Sequence, residues 1–399
     1  MEAKRVLIYS HDTYGLGHLR RSLLLAERLT RLPSRPRVLV ATGSPRAQAF
    51  RLPQGCDTLK LPAVLKQSDG SYGPRSLGVG IDDLVALRSR ILVGALEGFR
   101  PDLVLVDHAP LGMAGELGPV FDTVGRMARR PRVVLGLRDV IDDAAVVERA
   151  WSRDGVFEAI DRVYDEILVY GDPAILTTAR ELALDSRLSG RVHHVGYLGR
   201  RLDGAASEDK KGRLVVTGGG GGDAHRIFRA VVSWLRHRGC AVEEGCDIVA
   251  GPFLSRRRHD ALARDIAELD GDVTLHDFVD DLGARMASAS GVIAMAGYNT
   301  VVEVLSCGVP ALLVPRSEPR REQTIRAERV APVADLQVCG ARTLDERCFE
   351  TFLEAARAGR DRVAPALDLG GLDRAARILE ACLEGHPEAA SRAALHVAP

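Results

Sequence analysis

Nowhere in the 399 residues does an apolar run approach the roughly eighteen that a membrane-crossing helix needs. Val6-Leu7-Ile8-Tyr9 is too short for the apolar core of a signal peptide, and His11 and Asp12 follow at once, so no targeting segment is read there. Net charge is missing too: 54 Lys+Arg balance 54 Asp+Glu. That balance argues against a protein whose main partner is nucleic acid or an anionic membrane. Lysine stands only at 4, 60, 66, 210 and 211, so the basic charge rests on arginine, a bias from which no function is drawn. The seven cysteines, at 56, 240, 246, 307, 339, 348 and 382, form no Cys-x-x-Cys pair and join no histidine at zinc spacing. Reduced thiols, no metal centre and a cytoplasmic location, with at most peripheral membrane contact, are the expectations.

Against these absences stands a composition that is 46% hydrophobic, enough to bury the cores of two ordinary domains. Short apolar runs alternate with helical patterns: Arg5–Ser10, a helix near Leu19–Leu32, Arg37–Ala41, a helix near Asp82–Phe99, Leu103–Asp107, Val133–Leu137, Ile167–Tyr170 and Val192–Val195. Alternation of this kind predicts βαβ units and a parallel sheet covered on both faces. A charged, polar stretch over 200–212 reads as a linker. A second alternation then runs through Arg213–Thr217, Asp247–Ala250, Val273–Leu275, Gly291–Met295 and Ala311–Val314. The expected organisation is a first α/β domain over 1–199, a second over 213–371, and a closing helix and frayed tail over 372–399. Two such domains imply a ligand cleft at the carboxyl ends of their strands.

The most informative stretch is Met295 to Pro315, which reads as a glycine turn at Gly297, a helix N-terminus at Asn299-Thr300, an acid at Glu303, a helix-ending Gly308-Val309-Pro310 and a buried strand. Unpaired amides and the positive dipole end at a helix N-terminus receive phosphate without a metal. One helical turn on, the Glu303 carboxylate can accept the hydroxyls of a ribose; a plain surface glutamate is the alternative. Asn299 is alternatively just an N-cap. Upstream, five glycines from Gly218 to Gly222, with Gly219, Gly220 and Gly221 at the centre, lie between a strand and a helix and let backbone approach phosphate. A dinucleotide-binding loop is the rival, with Glu243 and Glu244 as its acids, but the Gly-x-Gly-x-x-Gly pattern runs out at Asp223. In the first domain, Gly15-Leu16-Gly17-His18 follows the first strand, and Asp107-His108 ends the strand at Leu103. A neutral imidazole near its ordinary pKa suits a general base, so His18 is a candidate, with helix packing or capping as the alternative.

These segments resemble the donor-binding signature of family 28 glycosyltransferases of the GT-B fold, and the match continues through His276–Leu282 and Glu322-Gln323-Thr324-Ile325-Arg326-Ala327. The resemblance implies an α/β GT-B architecture of two Rossmann-like domains facing each other across a cleft. It implies a nucleoside diphosphate sugar, by family habit a uridine diphosphate sugar, as co-substrate. Phe278 would lie against the base, Gly297, Asn299 and Thr300 would hold the diphosphate, and Glu322 and Gln323 the sugar hydroxyls. Arg200 stands where related enzymes carry an arginine near the phosphates, or is a solvated linker charge. Gly15 and Gly17 would face phosphate and acceptor.

Some GT-B transferases pair their base histidine with a strand-end aspartate, which is the role implied for Asp107 beside His18. Asp107 as a loop cap and His108 as the base remain open at this point, and Arg138 and Asp139 are placed near the acceptor. With no metal cluster in view, leaving-group charge would fall to helix dipoles and glycine amides, giving a metal-independent, inverting hexosyl transfer. Leu16, Leu19, Leu77 and Val79 make no long membrane-docking run, so the acceptor reads as a small molecule or a weakly approached lipid-linked one. A nucleotide-sugar hydrolase, a 2-epimerase on the same fold and a non-catalytic binding subunit are the alternatives. The oligomeric state is not legible.

Overall fold

Leu103–Asp107 is apolar on both alternations, which suits a strand covered on both faces, and every residue of it is buried. The computed structural model describes residues 3–11, 16–66, 71–188, 190–200, 212–238, 245–279, 281–358 and 367–385. Gly15, Glu243, Glu244, residues 201–211 of the expected linker and the tail from 386 therefore lie outside the described residues.

The first sheet contains β1 (Arg5–Ser10), β2 (Arg37–Thr42) and β3 (Cys56–Lys60); a separate hairpin of β4 (Val64–Lys66) and β5 (Tyr72–Pro74) follows. It is completed by β6 (Leu103–Asp107), β7 (Arg132–Arg138), β8 (Glu166–Tyr170) and β9 (Val192–His194). The order is β3-β2-β1-β6-β7-β8-β9, every pairing parallel. Helices α1 (Gly17–Thr30), α2 (Ile81–Phe99), α3 (Gly118–Arg126), α4 (Ala144–Arg153), α5 (Val156–Val163), α6 (Thr178–Glu181) and α7 (Leu184–Arg187) make the crossovers. Leu7, Val104, Val106, Leu135 and Val169 form the core with Leu92, Leu96 and Val124 from the helices.

The second sheet runs β12-β11-β10-β13-β14-β15, again all parallel. Its strands are β10 (Leu214–Thr217), β11 (Cys246–Val249), β12 (Val273–His276), β13 (Gly291–Ala294), β14 (Ala311–Leu313) and β15 (Gln337–Val338). They alternate with α8 (His225–His237), α9 (Arg256–Ala267), α10 (Leu282–Ala287), α11 (Tyr298–Cys307), α12 (Glu322–Ala334) and α13 (Glu346–Arg357). One face packs Phe228, Trp234, Ile293 and Phe352, the other Val215, Met286, Val292 and Val304.

The chain divides into two compact units: residues up to Leu198 together with those from Gly370, and Gly199–Leu369. The closing helix α14 (Gly371–Glu384) thus belongs to the first unit. There Arg28 pairs with Asp373 at 2.5 Å, Ser34 Oγ donates to Glu380 at 3.2 Å, and Arg374 donates to the Val195 carbonyl. One sequence expectation is corrected: Cys339 and Cys348, Cα atoms 6.6 Å apart, form a disulfide. The turn between β15 and α13 brings the two sulfurs together, a proximity that spacing alone does not reveal. Among the described residues, no helix is long and apolar enough to cross a membrane. Leu16 and Leu19 are core residues, whereas Leu77 and Val79 are exposed.

Candidate active site

In each sheet the order reverses once, between β1 and β6 in the first and between β10 and β13 in the second. At such a point the loops leaving neighbouring strands diverge to opposite faces and leave a crevice at the carboxyl edge. The sequence candidates cluster at these two places.

In the first unit, His18 lies in the first turn of α1, and Asp107 ends β6 beside Ser10 at the end of β1. The helix cap is Leu16, and His18 sits inside the first turn. Its Nδ1 meets Asp107 Oδ2 at 2.6 Å. Arg21, one turn further along α1, donates from Nε to Asp107 Oδ1 and from Nη2 to Oδ2, both at 2.8 Å, and its Nη2 lies 3.1 Å from His18 Nδ1. A guanidinium only donates, and so does a protonated ring nitrogen. With an ionised Asp107 as the shared acceptor, Nδ1 of His18 carries the proton and Nε2 the lone pair. Burial alone would raise the Asp107 carboxyl, but the Arg21 charge and the hydrogen bond from His18 outweigh it and hold it below the usual carboxylate range. Burial pushes His18 down to about 4; Asp107 opposes that shift, and Arg21 and Arg138 add to it.

Arg21 has a seat prepared for it. Its guanidinium lies 5.9 Å from the centre of the Tyr170 ring on β8, and Gly136 on β7 leaves the room the Tyr170 phenol needs, since a Cβ there would overlap it. Sequence reading missed Arg21. The available signal was its i, i+3 spacing from His18, which puts both on one helix face.

His108 follows β6 with φ +71°, a conformation uncommon outside glycine, and its N–H donates to Gly136 O at 2.7 Å. Arg138 Nη2 lies 3.0 Å from His108 Nε2, so that nitrogen accepts and its lone pair is spent. Burial, then Arg138 and the imidazoles of His18 and His11, hold His108 well below its ordinary value. The His18 and His108 ring centres are 5.1 Å apart, with His11 5.6 Å from His18. Asp139 is fully buried, accepting from Val140 N at 2.7 Å and from the Tyr197 hydroxyl at 3.3 Å. Gly17 opens α1 and is exposed.

In the second unit, the glycine loop leaves β10 and turns against the loop after β11. Phe253 N donates to Gly220 O at 2.9 Å, and Gly219 N to Thr217 Oγ1 at 3.2 Å. Gly219 and Gly221 have φ of +63° and +87°, and a Cβ on Gly221 would overlap the Ala250 carbonyl. Helix α11 starts beside this loop. Its cap is Gly297, not Asn299. A Cβ on Gly219 would reach Thr300 Oγ1 at 3.4 Å and one on Gly297 at 3.9 Å, so both glycines open space around that hydroxyl. Asn299 and Glu303 are half-buried on α11, one turn apart.

Glu322 and Gln323, both buried, start α12. Arg316, which sequence reading passed over, ties them together: Nη2 donates to Glu322 Oε1 at 2.6 Å, its backbone N–H to Gln323 Oε1 at 3.4 Å, and Nη1 lies 3.3 Å from Asp223 on the glycine loop. Arg326, fully buried, donates to Ala296 O at 3.1 Å ahead of the α11 turn. Phe278 is 38% exposed rather than core. Arg200 is exposed. A Cβ on the preceding Gly199 would lie 3.2 Å from Ser306 Oγ, near the carboxyl end of α11, about 10 Å along the helix from Asn299.

Residues 255–355 match the glycosyltransferase family 28 C-terminal domain. The UDP-N-acetylglucosamine–N-acetylmuramyl-(pentapeptide) pyrophosphoryl-undecaprenol N-acetylglucosamine transferase of Acidovorax sp. (strain JS42) is 26% identical over 247 residues, 60% of this chain. The match covers 54% of that relative, so the chain spans about half the length of the curated relative it matches. Among solved structures, the calicheamicin glycosyltransferase superposes with a TM-score of 0.58 at 16% identity, covering 100% of both chains. A UDP-N-acetylglucosamine 2-epimerase superposes with a TM-score of 0.61 at 13% identity, covering 97% of each. The chain has the GT-B fold, two parallel-sheet α/β domains, and resembles the family 28 glycosyltransferases.

Proposed function

We propose that the protein is a glycosyltransferase that moves a sugar from a nucleoside diphosphate sugar to an acceptor hydroxyl, with inversion and without a divalent metal. The observation that carries the reading is the phosphate cradle of the second unit. Gly219 and Gly297 leave open space around Thr300 Oγ1 at the α11 N-terminus, whose cap residue is the glycine Gly297. Amides and a helix dipole there suit a diphosphate, and Glu303, one turn on, suits the ribose hydroxyls. Glu322 and Gln323, held by Arg316, are the groups proposed to read the sugar.

The first unit supplies the base. His18 is assigned the role because its Nε2 keeps a lone pair while Asp107 holds Nδ1–H; His108 has already spent Nε2 on Arg138. In the proposed step the acceptor oxygen bonds to the anomeric carbon, its proton passes to His18 Nε2, and the bond to the diphosphate oxygen breaks with its electron pair on the leaving phosphate. The leaving charge falls to the glycine-loop amides and the α11 dipole, which is the ground for metal independence; turnover in excess chelator checks it.

The first test is a thermal-shift panel of nucleoside diphosphates and nucleotide sugars, uridine diphosphate sugars first, on wild type and Glu303→Ala. Stabilisation by one nucleotide that the variant loses supports the donor site and names the base. No shift with any nucleotide sinks the transferase reading. Donor consumption at full rate without any acceptor would instead indicate a hydrolase.

A further inference from the structure

The two-point grip of Arg21 on Asp107 has no counterpart in the roles assigned so far. We propose that Arg21 is the positioning residue of the first unit: by clamping both oxygens of Asp107 it fixes His18 as the uncharged, Nδ1-protonated tautomer and weakens the pull of Asp107 on a second proton. The inference rests on the transferase reading for its meaning, because only a base at His18 makes that tautomer matter.

The geometry supports it at each contact. Arg21 and Asp107 are each almost fully buried, and the two N–H···O contacts of 2.8 Å engage both carboxylate oxygens in a fork-on-fork pair. A carboxylate so engaged keeps enough basicity to accept His18 Nδ1–H at 2.6 Å, which fixes the ring, but most of its charge is answered by the guanidinium. An Asp facing histidine alone would stabilise an imidazolium far more strongly. Arg21 Nη2 also stands 3.1 Å from His18 Nδ1, a direct repulsion of any charged ring. Among the described residues, the other groups named as acting on His18 or ringing it have the same sign or none. Arg138 comes from β7, His108 from the end of β6 and His11 from the end of β1, while Tyr170 from β8 supports the guanidinium from below. Asp107 is the single anion acting on His18 in this set, and Arg21 holds it.

The consequence is a base that stays neutral well into the acid range, set by an arginine that acts through Asp107. Lysine cannot replace it: one ammonium supplies the charge but not the planar fork. Arg21→Lys should therefore keep the fold and loosen the His18 ring.

The experiment is a pH titration of the full chain with 15N-labelled histidine, followed by long-range proton–nitrogen spectra over about pH 3–8, with His18 assigned through His18→Asn. In the wild type, His18 should be neutral at neutral pH with Nδ1 protonated; an Nε2-protonated or charged ring overturns the inference without any variant. In Arg21→Gln the His18 midpoint should rise by at least about one pH unit, and Arg21→Lys should fall between the two. An unchanged midpoint in an Arg21→Gln variant that keeps the wild-type circular dichroism spectrum also overturns it. None of these readings uses a nucleotide. A wrong tautomer beside intact nucleotide binding therefore sinks the role of Arg21 and the assignment of the base to His18 while the donor site stands, and absent nucleotide binding sinks the transferase reading while the tautomer result stands.

Discussion

A histidine in the first turn of a helix ordinarily faces water and titrates near its usual value. His18 departs from this because the reversal of strand order places β6 beside β1 and so presents Asp107 to it. Two predictions belong to this residue. His18→Ala should lower kcat by about a hundred- to ten-thousand-fold, and Asp107→Asn should also lower it, while nucleotide-dependent stabilisation survives in both. Loss of nucleotide binding in either variant would show a folding defect instead.

The second concerns stability. His18 takes a proton near 6.5 when unfolded and near 4 when folded, so between those values the unfolded chain binds the extra proton. Stability attributable to this residue is full above about 6.5 and is lost as pH falls toward about 4, by roughly 3 kcal/mol at most. His108 acts in the same direction. Urea melts at about pH 7 and pH 5 should show the drop in wild type and a smaller one in His18→Asn. Equal slopes would mean that His18 is not held neutral by the fold.

At the scale of elements, the glycine loop separates steric from conformational need. Gly221 sits at φ +87° with the Ala250 carbonyl where a Cβ would be, so Gly221→Ala should destabilise the second unit by about 2 kcal/mol or more. Gly115 has a similar φ of +79° and open space, so Gly115→Ala should cost about 1 kcal/mol from backbone strain alone. Gly219→Ala falls between: a φ of +63° and a neighbour at 3.4 Å allow folding, yet the methyl enters the cradle beside Thr300. The expected result is a small fall in melting temperature with loss of the nucleotide-induced shift; retained binding would count against a phosphate at that loop.

The elements also show what sequence could and could not yield. Strands buried on both faces, such as Arg5–Ser10 and Leu103–Asp107, carry unbroken apolar runs and were readable to the residue. Strand β3, Cys56-Asp57-Thr58-Leu59-Lys60, is a half-exposed edge with no such run, and β15 is two residues long, so neither left a signal. Glycine loops and the acid on α11 were visible as local patterns. Arg21 and Arg316 were passed over: beside their local contacts to His18 and Glu322, the aspartates they bind, Asp107 and Asp223, come from distant sequence.

At the scale of the whole molecule, the chain leaves its first unit at Leu198 and returns at Gly370, so that unit is closed by the last helix. The return is tightly built. Gly371 passes so close to the Gly196 carbonyl that a side chain would not fit, Arg374 donates to the Val195 carbonyl, and Ala375, Ala376, Ile378 and Leu379 are fully buried. Removing α14 would delete the buried Ile378, Leu379 and Leu383 and uncover the core they pack on, a loss of roughly 5 kcal/mol, which is comparable to the whole stability of many domains. A chain ending at Leu369 should therefore lose or sharply lower the calorimetric transition of the first unit. The second unit holds its own two-faced core, so its transition and nucleotide-induced stabilisation should persist. Ile378→Ala, expected to cost about 2–5 kcal/mol, should lower the same first-unit transition without truncation. If both transitions fell together in the truncated chain, the two units would share one cooperative unfolding event, and donor binding could no longer be measured independently of the first unit's fold.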